Sequence, residues 1–146
     1  MKRMMMFAAL VVAAMTFGVA AAGASQTFMA SIYQSPSFTC SAGATDTSGA
    51  RHGTFQAIEQ HYRQLVSASV TVDNLSANRN YNVSVTESGH SCLTDHNVTW
   101  FTTDAHGKAV VHFWFVAHTG ETSAWVTVSH GATNDIFRST SLPINR

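Results

Sequence analysis

The sequence predicts an all-β fold, an antiparallel β-sandwich of about seven short strands. Segments in which apolar and polar residues alternate recur along the chain, and turn-forming residues separate them at hairpin-like intervals. The stretch from Asn97 to Gly131 holds all 3 tryptophans and the densest run of β-branched and aromatic residues. Breaks that contain glycine, at 104–107 and 118–122, divide this stretch. We therefore expect it to form three consecutive antiparallel strands at the centre of the domain.

Residues 1–24 have the pattern of a cleavable signal peptide. Lys2 and Arg3 form a basic start, Met4–Ala14 is apolar, and small residues with A-x-A spacing end at Ala24. The alternative is an uncleaved membrane anchor, because the uncharged run is about as long as a bilayer-spanning helix. We expect cleavage, which leaves a single domain at 25–146 with a flexible N-terminal segment and a secreted, periplasmic or extracellular location.

The charge balance argues against two classes of partner. The chain has 8 basic and 8 acidic residues, and Lys2 and Arg3 are lost with the signal. Nucleic-acid binding requires clustered Lys and Arg, and binding to a membrane surface requires a basic amphipathic face. We expect neither nucleic acid nor, after signal cleavage, a membrane as partner.

The chain has 2 cysteines, Cys40 and Cys92. In an oxidising compartment an even pair indicates a disulfide, and this one would contribute about 4 kcal/mol by restricting the unfolded chain. The alternative is a metal site formed by Cys92 with His90 and His96, although such sites normally carry paired cysteines. We expect the disulfide, with no metal and no cofactor.

The first half of the mature chain gives weaker signals than the second. Thr27–Tyr33 alternates weakly and is expected to be an edge strand, and 41–49 to be a mobile loop. Thr54–Val66 is ambiguous, because apolar residues at helical spacing favour a short helix at the open end of a sheet. These residues are Phe55, Ile58, Tyr62 and Leu65.

From Val66 onward, apolar residues recur at every second position. Val66–Asp73 and Tyr81–Thr86 alternate clearly between apolar and hydroxyl or amide residues and predict two strands, and 87–95 is expected to be a polar loop. Four further strands are expected at Val98–Thr103, Ala109–Ala117, Ala124–His130 and Ile136–Leu142.

The segment Ser69–Val85 resembles the strand–leucine–turn–tyrosine–strand segment of fibronectin type III and related immunoglobulin-like modules. Leu75 and Tyr81 match the leucine and tyrosine that pack at that corner. The segment 101–107 similarly resembles the turn before a late strand in secreted bacterial modules of this architecture. The resemblance implies an immunoglobulin-like sandwich, and because such modules serve adhesion, carbohydrate binding and spacing, it implies no particular function.

Two tryptophans are the strongest candidates for a binding surface. If the apolar residues of both strands around them point inward, Trp114 and Trp125 point outward from adjacent strands of one hairpin. Two neighbouring exposed indoles would form a platform for sugar rings or an apolar partner. The alternative is that the indoles are core residues, or that the segment before Gly53 covers them. The residues expected to face inward are Val111, Phe113, Phe115, Val126 and Val128.

Histidines are the second candidate, since the chain has 8 of them. His112 and His118 are six positions apart and share a face with Trp114, where imidazoles could bind a flat ligand or a metal. The alternative is that they are ordinary surface histidines, and no metal-ligand spacing motif accompanies them. Three N-x-S/T sequons occur, at Asn74, Asn82 and Asn97, and are attributed mainly to chance in a chain rich in Asn, Ser and Thr.

No motif for catalysis is present, because the sequence lacks a G-x-S-x-G elbow and a glycine-rich phosphate loop. We therefore expect a secreted, non-catalytic binding module, bacterial in the style of its signal, whose ligand is a glycan or an extracellular protein. One alternative is a small secreted hydrolase with a site in Gly89–His96. A structural envelope protein without a ligand site is the other.

Overall fold

The structure, a computed structural model, describes residues 25–35, 39, 42–59, 64–89, 92–131 and 135–144, with the backbone alone at 92–97. The expected signal peptide at 1–24 lies outside the described residues. Cys40 also lies outside them and Cys92 is described only by its backbone, so the disulfide stays a prediction.

Within the described residues the chain is all-β and antiparallel, as expected, and contains no helix. These residues form nine strands, more than the seven expected. The strands are β1 Gln26–Gln34, β2 Arg51–Glu59, β3 Leu65–Val72, β4 Asn80–Ser88, β5 Cys92–Thr102, β6 Ala109–Val116, β7 Ser123–Ser129, β8 Ile136–Ser139 and β9 Leu142–Pro143.

Eight of the strands form one sheet in the order β5-β4-β7-β8-β1-β2-β3-β6, and β9 pairs with β7. The two ends of this order, β5 and β6, approach each other, so the sheet nearly closes into a barrel. The expectation of three consecutive central strands in 97–131 is wrong. β5 and β6 are joined by a turn but lie at the two edges of the sheet, while β7 lies between β4 and β8.

The expected short helix at Thr54–Val66 is wrong where the structure describes it. Residues up to Glu59 belong to β2, which pairs with β1 and β3 along its length. Phe55, Ala57 and Glu59 are buried and the residues between them are partly exposed, a period of two. β2 is extended despite the helical spacing of Phe55 and Ile58, because its backbone forms hydrogen bonds with the strands on both sides. Residues 60–63 lie outside the described part.

Two other expectations about the strands need correction. β1 is an interior strand, because Gln26–Tyr33 pairs with β2 and Ile32–Gln34 pairs with β8. The polar loop expected at 87–95 is mostly strand, since β4 continues to Ser88 and β5 begins at Cys92. Strong pairing with flanking strands therefore extends both elements beyond their apolar residues.

The buried apolar side chains of the described residues form one cluster, to which every strand contributes. Phe113, Phe115, Val126 and Val128 are buried, as expected, and Val111 packs partly buried against them. Larger buried side chains from other strands complete the cluster, among them Ile32, Phe55, Tyr81, Val83, Val85 and Phe137.

Hydrogen bonds and close packing join the loop between β3 and β4 to the turn between β5 and β6 at one end of the sheet. Tyr81 is fully buried, and its hydroxyl oxygen accepts a hydrogen bond from the Ser76 N–H at 3.2 Å. Thr103 Oγ1 donates to the Ser76 carbonyl at 2.6 Å and accepts from the Arg79 N–H at 3.0 Å. Gly107 has a φ of 72°, and a Cβ there would lie 2.0 Å from the Leu75 carbonyl oxygen. This corner fixes where β6 begins.

Candidate functional site

The structure separates the two tryptophans that the sequence placed together. Trp114 lies on β6 and is 64% exposed, whereas Trp125 lies on β7 and is fully buried. β6 pairs with β3, and β7 pairs with β4, β8 and β9, so the two strands are not neighbours. A platform of two exposed indoles is therefore not formed.

Trp125 faces away from the core but is covered by the segment before β2. A Cβ on Gly43 would lie 2.7 Å from Cγ of Trp125, so the backbone of 42–44 rests directly on the indole. The Ala44 N–H donates to the Ser139 carbonyl at 2.8 Å and holds this segment against β8. For Trp125 the structure shows the second alternative, in which the segment before Gly53 covers the indole.

Trp114 stands beside a groove that runs along the outer face of β3. Ser67 and Ser69 point outward from β3 and are small, while larger side chains rise on β2 and β6. The resulting depression has a volume of about 140 Å³ and is lined by Gln56, Ile58, Ser67, Ala68, Ser69 and His112. A second depression lies farther along the same strand, at Thr71 to Asp73, and we call the two together the β3 groove.

His112 lines the groove and Trp114 lies beside it because of the register between β3 and β6. His112 lies opposite Ser69, and Trp114 lies opposite Ser67. Both pairs are of the kind that does not exchange backbone hydrogen bonds, in which opposing side chains are closest. Trp114 is therefore the β6 residue next to Ser67, at one end of the groove.

The other end of the groove is polar and wider. A depression of about 390 Å³ is lined by Thr71, Val72, Asp73, Asp104, Lys108, Ala109 and Val110. Asp104 Oδ1 accepts hydrogen bonds from the N–H groups of Lys108 at 2.9 Å and His106 at 2.8 Å. These two bonds hold the pKa of Asp104 below its usual range. One carboxylate oxygen of Asp73, Oδ1, is buried without a hydrogen-bond partner among the described residues.

His118 does not join the groove. It follows β6, and its Nδ1 contacts Oε2 of Glu87, whose side chain is buried. The His118 N–H also points to both carboxylate oxygens, at 3.2 and 3.3 Å. Glu87 continues the inward series of Tyr81, Val83 and Val85 on β4, so His118 serves to cap a carboxylate at the end of the core.

The sequence did not single out the buried Glu87, Asp73 at the end of the groove, or the outward serines of β3. The alternation of β4 contained the signal for Glu87, since its inward parity extends to residue 87. The signal for the groove was two small outward residues between two strands with larger ones, and it appears only once β2, β3 and β6 are known to be neighbours.

Other candidate sites give no further support within the described part of the chain. No group of three or more His, Cys, Asp or Glu side chains there could hold a metal ion. A search of the same residues for a helix that is both apolar and long enough to span a membrane finds none. The hydrolase alternative falls on Gly89–His96, where residues 90 and 91 and the side chains of 92–96 lie outside the described part. Asn74 sits in the turn after β3 with a φ of 56°.

Comparison of the chain with protein-family models, with curated proteins and with solved structures gives no match.

Proposed function

We propose that the protein is an extracellular, non-catalytic binding module, and that the β3 groove binds an extended, neutral oligosaccharide. The observation that carries the proposal is the 64% exposure of Trp114 beside a depression floored by Ser67 and Ser69. A large exposed indole next to a concave, hydroxyl-lined surface is a common arrangement for stacking against a sugar ring.

The polar groups of the groove suit sugar hydroxyls. Ser67, Ser69 and Thr71 supply hydroxyls that both donate and accept hydrogen bonds, and Gln56 supplies an amide with both functions. Asp104 at the far end supplies a carboxylate that accepts from hydroxyl groups and disfavours an anionic ligand there. Loss of Lys2 and Arg3 with the signal leaves 6 basic and 8 acidic residues, a net charge of about −2, which does not favour an anionic ligand.

The length of the groove favours a chain of sugars over a single one. Ser67 and Asp73 are six positions apart on β3, which corresponds to about 20 Å along an extended strand. The Trp114 end provides an apolar stacking surface, and the Asp73 end provides hydrogen-bond acceptors. An extended oligosaccharide can contact both ends at once.

The fold we propose is an immunoglobulin-like β-sandwich, in which the nearly closed sheet is divided into two packed layers. The support is the bond from the Ser76 N–H to the buried Tyr81 hydroxyl, the geometry of the tyrosine corner in that architecture. The secreted location rests on residues 1–24, and the Cys40–Cys92 disulfide belongs to the same proposal.

The proposal is tested by calorimetric titration of the protein with a panel of neutral oligosaccharides. We expect Trp114→Ala to weaken binding by at least about tenfold, a free-energy loss near 1.4 kcal/mol. Ser69→Tyr, which fills the floor of the groove with a residue favoured in strands, should have the same effect. Circular dichroism of each variant verifies that the sheet is intact.

The matched control is Trp100→Ala. Trp100 is 54% exposed on β5 and lines neither depression of the groove, so its removal deletes an exposed indole and leaves the groove lining intact. Binding that survives Trp114→Ala, or that is lost equally in Trp100→Ala, would show that the β3 groove is not the glycan site.

A further inference from the structure

Within the described part of the chain, the outer edge of β6 pairs with no strand, although β5 comes near β6 where the sheet nearly closes. The Ala117 N–H donates to the Gln64 carbonyl, and the register from Leu65↔Val116 to Val72↔Ala109 is unbroken. Because bonded and non-bonded pairs alternate along an antiparallel ladder, this bond determines which β6 residues are hydrogen-bonded to β3. They are the alternate residues 109, 111, 113 and 115. The backbone N–H and C=O groups of Val110, His112, Trp114 and Val116 therefore point away from β3, and β6 pairs with no other strand in the described part of the chain.

This edge lacks the features that normally prevent strands from pairing between molecules. Ala109–Val116 contains no Lys, Arg, Asp, Glu or Pro, and its pairing with β3 shows no bulge. Its outward side chains are exposed and mostly apolar, with Val110 at 60% and Val116 at 45%. Such an edge is a template for another strand.

We propose that β6 pairs antiparallel with β6 of a second copy of this chain, about a two-fold axis at Phe113. Backbone groups meet only if the open residues of one copy face the open residues of the other. The register centred on Phe113 places Val110 opposite the second Val116 and His112 opposite the second Trp114. This register uses all four open residues of each copy and forms about eight backbone hydrogen bonds, two at each facing pair.

The side chains in this register are complementary to themselves. A Val–Val pair closes each end of the ladder, and two His–Trp pairs lie at its centre, where an imidazole packs against an indole. Shifting the centre to His112 or to Trp114 leaves one valine of each copy unpaired and places like residues opposite each other. Without Lys2 and Arg3 each copy carries a net charge of only about −2, so two copies do not repel strongly.

A second copy fits this edge better than a foreign peptide does. The edge offers no charged side chain that would select one peptide over another. Two antiparallel copies of β6, by contrast, place Val opposite Val and His opposite Trp. The dimer does not depend on glycan binding. It would join two outer faces into one continuous sheet and place two β3 grooves side by side.

Sedimentation of the protein as isolated, over a range of concentrations, tests the proposal. We expect a monomer–dimer equilibrium for the unaltered chain, and Val116→Lys or Val110→Glu alone should weaken dimerisation by at least about tenfold. Mixing the two variants should restore dimers, because the new lysine then faces the new glutamate in the Phe113-centred register. The control is Met29→Lys, which adds the same charge to an exposed position of the interior strand β1 and should leave the dimer unchanged.

Each outcome decides the proposal. A monomer at every concentration, or a dimer that persists in Val116→Lys, would overturn it. Recovery with His112→Glu in place of Val110→Glu would overturn the Phe113-centred register, since that pair meets only when the axis lies at Trp114. Binding of an extended peptide by an otherwise monomeric protein would replace the second copy by another partner. Val116 does not line the β3 groove, so Val116→Lys should keep its affinity for oligosaccharides, and the two proposals fail separately.

Discussion

The Ser76 N–H donates a hydrogen bond of 3.2 Å to the hydroxyl oxygen of Tyr81, five positions later in the chain. The Tyr81 ring is fully buried and stacks on Phe101, with ring centroids 5.7 Å apart. One side chain thus joins the loop after β3 to the core beneath β4 and β5. Residues 76–80 are exposed, so the loop is held by this bond and by the bonds that Thr103 makes to Ser76 and Arg79.

Replacing Tyr81 by Phe is expected to lower the free energy of unfolding by about 1 kcal/mol, because the ring packing is kept and one hydrogen bond is lost. Urea denaturation measures the change. Tyr33→Phe, on a partly exposed position of β1, is the matched control and should change stability less. Equal losses in the two variants would contradict the role given to the Tyr81 hydroxyl.

Thr103→Val should cost more, about 2 kcal/mol, although it removes no volume. The buried Thr103 hydroxyl donates to the Ser76 carbonyl and accepts from the Arg79 N–H, so both backbone groups lose a partner. The neighbouring Thr102→Val changes an exposed hydroxyl and should be nearly neutral by the same urea assay. A neutral Thr103→Val would show that water replaces the hydroxyl at this corner.

His118→Ala is expected to destabilise the fold by about 2 kcal/mol, since the buried Glu87 carboxylate loses its contact with the imidazole. His106→Ala removes an exposed imidazole from the turn between β5 and β6, keeps the backbone N–H, and serves as the control in thermal denaturation. If both variants had the same melting temperature as the unaltered protein, the His118–Glu87 contact would contribute nothing to stability.

Asp104→Asn should reduce stability at neutral pH and have less effect in acid. Hydrogen bonds from the Lys108 and His106 N–H groups lower the pKa of Asp104 from its ordinary value of 3.8. The native state therefore binds fewer protons than the unfolded state, and the stabilisation is present above pH 3.8 and is lost as the pH falls through the lowered native pKa.

Urea denaturation of both proteins at neutral pH and below the native pKa measures this convergence. Lys108→Ala keeps the backbone donor and should retain the pH dependence of the unaltered chain. A gap between Asp104→Asn and the unaltered protein that widened in acid would contradict the assigned sign.

Local patterns predicted strands well where one face is apolar and the other is not. The alternation of β3 and β4, and the inward direction of Phe113, Phe115 and Val126, followed from a period of two and from propensity. Leu75 and Tyr81 marked the corner between β3 and β4, and both are buried there.

What the sequence did not reveal depends on contacts between distant segments. The exposure of Trp125 is decided by 42–44, which lies more than eighty positions earlier. The groove needs β3 next to β6, a neighbour relation that no local period encodes. β2 showed helical spacing at Phe55 and Ile58, and only its two neighbouring strands explain why it is extended.

The place of β8 in the sheet has a consequence for how the chain acquires its fold. Ile32 pairs with Ser139, more than one hundred positions later, and β8 supplies the ladder that joins β1 to β7. Contacts of such sequence separation slow folding, because a long loop must close before they form. Without β8, the strands β5-β4-β7 and the strands β1-β2-β3-β6 share no ladder among the described residues, so the two parts of the sheet join only when the pairing of β8 forms.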